Sequence, residues 1–306
     1  NMASCLIRQG NIAAAIDFSR RATRLAPETA ALGSNLLLNL NYSQVSADGD
    51  QASLMRNFCE ATKSAVRTLA MRHRARIPDL DSLLGELKSY DDAGALIANL
   101  CGLMAGAREK LFILIDEYDT FANSLLTGGK EDLYSAVTDR TGFVRNFYRT
   151  IKAGTETGAV GRLFVTGASP ILLDDLYTGF NIVKNISNRS QFNALAGFTR
   201  ADVERGVEEL LASRPDLAGI AEVGDRAALL QVLEQYYNGY RFSPDAAERV
   251  FNSDMVLYFL SELADGGRYP TQMLDVNART DYRRFHRLWA SSGPSAEERR
   301  GVLQDI

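Results

Sequence analysis

The chain has 306 residues, with 34 lysine plus arginine against 38 aspartate plus glutamate and a formal charge of −4. At 46% hydrophobic and 24% charged it is expected to fold as one large or two ordinary globular domains, which excludes a disordered or fibrous chain. The acidic balance gives no general footprint for nucleic acid, and 2 histidines with 3 scattered cysteines leave little for a zinc site.

Cys5, Cys59 and Cys101 are read as buried free thiols of a reducing, cytoplasmic compartment. No apolar run approaches the roughly 20 residues of a membrane span. Residues 1–11 lack the basic start and apolar centre of a secretory signal. The chain opens on Asn1 rather than methionine, so a fragment of a longer protein is one expectation.

Residues 1–34 are expected to be helical. In 9–27 (QGNIAAAIDFSRRATRLAP), the spacing of Gly10, Ala15, Ala22 and Pro27 resembles the second half of a tetratricopeptide repeat. One such unit cannot bury its own apolar face, so it needs neighbours, or a protein partner bound through these helices. An ordinary alanine-rich helix is the other reading.

Residues 35–197 read as an α/β core. Leu36–Tyr42 (LLLNLNY) is a candidate strand. In 51–73, Leu54, Phe58, Ala61, Ala65 and Leu69 make one helical face. Residues 82–105 predict two helices broken near Ser89-Tyr90-Asp91, with Asp91 capping the second. Leu111–Ile115 (LFILI) and Arg162–Thr166 (RLFVT) are short continuous apolar runs, as in parallel strands covered by helices on both faces. An amphipathic helix over 139–153 between them completes a crossover unit.

From 198 to 306 strand-like runs are scarce, and a helical subdomain is expected. Thr199 and Asp202 open a helix over 199–213 in a capping-box pattern. A second helix over 225–237 stops at Asn238-Gly239. Gly266-Gly267 reads as a loop.

The chemistry is concentrated where LFILI ends in Asp116-Glu117. A buried strand delivers its last side chains to the C-terminal edge of a parallel sheet, where ligands bind. An apolar strand followed by Asp-Glu is the Walker B pattern, in which the aspartate holds the water shell of Mg2+ and the glutamate polarises the attacking water. A strand-end or helix cap is the structural alternative. The second strand runs into Val165-Thr166-Gly167-Ala168-Ser169-Pro170, where a hydroxyl can sense a γ-phosphate or simply start a turn.

The blocks FILIDEYD, VTGASPILLDDL, GFNIVKNIS, GFTRADVE, YYNGYRF and NSDMVLYFL, in that order, resemble the AAA-ATPase-like family, whose members are often fused to a PD-(D/E)XK nuclease-like domain. The resemblance covers about 36–290 and implies an incomplete P-loop NTPase-like parallel sheet flanked by helices, followed by a helical subdomain. It implies ATP and Mg2+ as ligands, Asp116 holding Mg2+ through water, Glu117 as base, and Thr166 or Ser169 as the γ-phosphate sensor. Arg241, in the Tyr237–Phe242 block, would be a second-sensor arginine, or part of a structural turn. The family's glycine-rich phosphate loop ending in Gly-Lys-Ser or Gly-Lys-Thr is not in this sequence. Gly128-Gly129-Lys130-Glu131 lacks its spacing and hydroxyl, and is read as a surface loop. The residues after 290 are not expected to hold a nuclease-like domain. Two functions follow: an ATPase domain, or a non-catalytic NTPase-fold scaffold acting in protein–protein interaction.

Overall fold

A computed structural model describes residues 36–274, apart from 78, 170, 177–178, 196, 221–222 and 224. The tetratricopeptide-like segment 1–34 and the residues after 274 therefore lie outside the described residues. The described residues divide into two compact units, 36–183 and 184–274.

The first unit runs β1 (Leu36–Asn41), α1 (Gln51–His73), α2 (Leu80–Glu86), α3 (Ala93–Gly106), β2 (Leu111–Asp116), α4 (Thr120–Thr127), α5 (Glu131–Thr138), α6 (Phe143–Glu156), β3 (Val160–Val165) and α7 (Ile171–Leu176). The strands form a parallel sheet in the order β1-β2-β3. Parallel neighbours cannot be joined by hairpins, so each connection crosses over through helices. This is the expected α/β architecture, an incomplete P-loop NTPase-like sheet flanked by helices.

The register sets Asn41 opposite Asp116, and Leu114 opposite Phe164. Leu36, Leu38 and Leu40 are buried while Leu37, Asn39 and Asn41 are exposed. In β2, Leu111, Ile113 and Ile115 are buried, but Phe112 and Leu114 only half so. Full cover on both faces, expected from the continuous apolar run, is thus reached on one face only among the described residues.

Several helices differ from the sequence reading. The second helix of 82–105 is capped by Asp92 rather than Asp91. Asp92 has extended backbone, and its carboxylate accepts from the Ala95 N–H at 2.7 Å. The helix expected over 139–153 starts later, at Phe143, because the chain turns between Asp139 and Gly142. Helices α4 and α5, which fill the connection before that turn, were not anticipated. The core gathers around Phe58 on α1, which stacks on Tyr42 and meets Phe121, Phe143 and Phe147 edge-on. Cys59 and Cys101 are free and buried; burial pushes each thiol up to about 11, so both stay protonated at neutral pH.

The second unit contains α8 (Arg200–Ser213), α9 (Arg226–Tyr237) and α10 (Ser253–Gly266). Thr199 and Asp202 form the capping box reciprocally, side chain to backbone in both directions. Gly266 is the last residue of α10, and Gly267, at φ +64°, is its left-handed cap rather than an open loop. Val207, Leu229, Leu233, Val256, Phe259 and Leu263 build a separate core. Residues 184–197, read from sequence as the end of the α/β part, belong to this unit. Asn193 ties them there, donating to the Glu248 carbonyl and accepting from the Phe242 and Ser243 amides. No helix among the described residues is long and apolar enough to cross a membrane.

Candidate functional site

The three strands of the first unit end side by side, and their last polar residues meet. Asp116 closes β2 and is nearly buried, at 4% exposure. Its Oδ1 accepts the Thr166 hydroxyl at 2.6 Å, and its Oδ2 accepts the Asn41 amide at 3.3 Å. Thr166 follows β3 directly and continues the ladder, its N–H donating to the Ile115 carbonyl at 2.8 Å. The C-terminal edge of a parallel sheet is where this architecture places ligands.

Glu117 follows with a left-handed backbone, φ +51°, rare for a residue with a side chain. The turn lets the chain leave β2 sharply and enter α4. The Glu117 carboxylate accepts the Thr120 hydroxyl at 2.9 Å, so it supports the first turn of α4 while standing beside Asp116. Glycine adopts this φ at no steric cost, whereas alanine adopts it only with strain. Of two variants that both delete the carboxylate, Glu117→Gly is expected to be the more stable, and Glu117→Ala the less stable by about 1 kcal/mol. Paired denaturant titrations check this, and equal midpoints would refute the strain.

Two residues beyond the sequence reading complete the site. Asn41 contributes the amide on Asp116, and Asp119 anchors the turn after β3. Asp119 is fully buried; its Oδ1 accepts from the Ala168 N–H at 3.1 Å and its Oδ2 from the Ser169 N–H at 2.6 Å. The Tyr118 hydroxyl donates to the Ser169 carbonyl. Burial, and next the charge of Asp119, raises the Tyr118 pKa well above its ordinary value, so the phenol stays a donor.

Among the sequence-predicted residues, the structure brings Asp116 and Thr166 into contact, with Glu117 adjacent in the chain. Ser169 lies in the same turn, but its hydroxyl accepts from the Ile171 N–H at 3.2 Å and its amide and carbonyl are engaged as above. Arg241 belongs to the second unit. It is exposed in the turn after α9, where Tyr240 pairs with Val250 and Gly239 takes φ +114°. Gly128 and Gly129 form the turn after α4, and the Lys130 ammonium donates to the Ala47 carbonyl at 2.9 Å, in keeping with a structural loop.

Among the described residues no cluster of three or more histidine, cysteine or acidic side chains forms a metal cage. That donor set does not fit a fully protein-bound ion. It fits hydrated Mg2+, which takes one or two carboxylates and completes its shell with water and phosphate. An oriented carboxylate at a strand end, backed by a hydroxyl, is such a donor.

The fold places this strand-end acid in an α/β protein built on a parallel sheet. The profile of the predicted AAA-ATPase family matches residues 18–177, just over half of the chain, which therefore belongs to that family. A curated relative, described as an uncharacterized protein in the vnfD 5'region of Azotobacter chroococcum mcd 1, is 28% identical over 155 residues. The match covers 51% of this chain and 26% of that protein, so the chain spans about a quarter of its relative's length. No solved structure matches.

Proposed function

We propose that the first unit is an ATP-handling domain in which Asp116 holds Mg2+ through water. Glu117 polarises the attacking water, and Thr166 and Ser169 read the γ-phosphate. The observation that carries this is the Asp116–Thr166 contact at the C-terminal edge of the sheet. Mg2+, when bound, supplies charge neutralisation at the phosphate oxygens. Thr166 and Asn41 fix the Asp116 carboxylate that would hold the ion through water, and Glu117, on its sharp turn, lies next to Asp116 in the chain. A reducing, cytoplasmic setting belongs to the same reading, supported by the buried free thiols Cys59 and Cys101.

A specific observation favours a second reading. The sequence has no Gly-Lys-Ser or Gly-Lys-Thr loop, and the Glu117 carboxylate is engaged by Thr120. Without a nest of backbone N–H groups and a lysine, triphosphate affinity falls steeply. The domain would then be a scaffold for protein–protein interaction, with residues 1–34 as the partner-binding part.

Calorimetric titration of the folded chain with Mg·ATP, beside Asp116→Ala, separates the two. Micromolar binding by the parent, weakened about tenfold or more by Asp116→Ala, is expected if the site handles nucleotide. No binding at millimolar ATP by a folded chain overturns ATP handling for this chain and leaves the scaffold.

A further inference from the structure

Between Glu117 and Asn123 the chain carries several local costs at once. Glu117 has its left-handed backbone. Asp119 is 0% exposed, faced by three N–H donors and, among the described residues, by no basic side chain. Asn123, 4% exposed, gives its amide to Asp119 at 2.7 Å and leaves its own oxygen without a partner. Unpaired buried polar atoms and buried carboxylates disfavour folding unless something compensates. Such costs gather where a site needs a fixed geometry.

What these costs secure is the turn after β3. The Tyr118 N–H donates to the Thr166 carbonyl at 3.2 Å, and the Tyr118 hydroxyl to the Ser169 carbonyl. Asp119 holds the amides of Ala168 and Ser169, one on each oxygen. Gly167 lies between, pressed so closely that a Cβ would stand 2.3 Å from the Tyr118 ring and 2.4 Å from the Asp119 carboxylate. Thr166, Ala168 and Ser169 are thus each hydrogen-bonded to the exit of β2, and the Thr166 hydroxyl lies on Asp116.

We infer that Asp119 is the positioning residue of this site. Its buried carboxylate is occupied by the N–H groups of Asn123, Ala168 and Ser169. It acts through the Ala168 and Ser169 amides to keep Thr166 on Asp116. The catalytic meaning of that position rests on the ATP-handling reading; the positioning itself does not.

Asp119→Asn keeps the size of the side chain but turns an NH2 group toward one of the two amides, where donor meets donor. In the folded variant, exchange protection of the Ala168 and Ser169 amides is expected to fall about tenfold or more, while β2 and β3 amides keep theirs. The hydrogen-bonded Thr166 hydroxyl proton, followed by NMR, is expected to lose its slow exchange. If the parent binds Mg·ATP, Asp119→Asn and Thr166→Val should each weaken binding, and the double variant no further. A persistent Thr166 hydroxyl signal, or fully additive losses, would overturn the inference. A parent that binds no ATP refutes the nucleotide reading, and the exchange measurements alone then decide the positioning. Should Asp119→Asn not fold, Gly167→Ala keeps the Asp119 carboxylate chemically intact but drives a Cβ against it and the Tyr118 ring, displaces the same turn and is read out identically.

Discussion

Replacing Phe58 with alanine is expected to cost the α/β unit about 4–5 kcal/mol, the upper end of the range for such truncations. Phe58 is fully buried. Its ring stacks on Tyr42 at 4.2 Å between centroids and 13° between planes. It meets Phe147 at 5.0 Å, Phe143 at 5.5 Å and Phe121 at 5.7 Å, each edge-on. Each favourable ring pair adds roughly 0.5–1.5 kcal/mol beyond the area it buries. The neighbours come from the end of β1, α4 and α6, so they cannot all move inward, and a cavity remains. A domain of ordinary stability, about 5–15 kcal/mol, would lose a large part of its margin. Urea unfolding followed by circular dichroism reads this out, and a loss under about 1 kcal/mol would show that the rings do not share one packed cluster.

Gly142→Ala is expected to cost about 3 kcal/mol by a different route. The Gly142 backbone, φ −63° and ψ 140°, suits any residue. The obstacle is space. An added Cβ would stand 2.2 Å from the Val137 oxygen, 2.4 Å from the Val137 carbonyl carbon and 2.9 Å from the Thr138 nitrogen. These are main-chain atoms, so no rotamer change relieves the clash. The end of α5 and the start of α6 must separate, and α6 carries Phe143, Phe147 and Tyr148 into the core. A thermal melt reads the loss as a lower midpoint, and an unchanged midpoint would mean that the two helix ends slide freely.

Legibility in the sequence followed the range of the interactions. LFILID reads as a strand because its own residues are apolar and branched, and it folds as one. Thr199 and Asp202 read as a capping box because three residues suffice to define it, and both bonds form. Asp116 and Thr166 were legible as strand ends of a parallel sheet. Asn41 was not, because its role depends on the register that sets it opposite Asp116. Asp119 was not, because its partners are amides of a turn about fifty residues away. The split of 139–153 was hidden for a related reason: the contact of Gly142 with Val137 is steric and carries no periodic signal. Glu117 read as a base by motif, and its left-handed backbone and bond to Thr120 are properties of the fold alone.

The register of the sheet also bears on how the site comes into being. Asn41 and Asp116 are separated by 75 residues, and Asp116 and Thr166 by 50. Closing such loops costs chain entropy before any ladder contact repays it, so contacts of this range lag behind local helices in forming. A partly folded chain can hold α1 or α6 without holding the strand ends together. The Asp116 cluster therefore exists only once all three strands are in register, and a nascent or locally opened chain has the motif without the site.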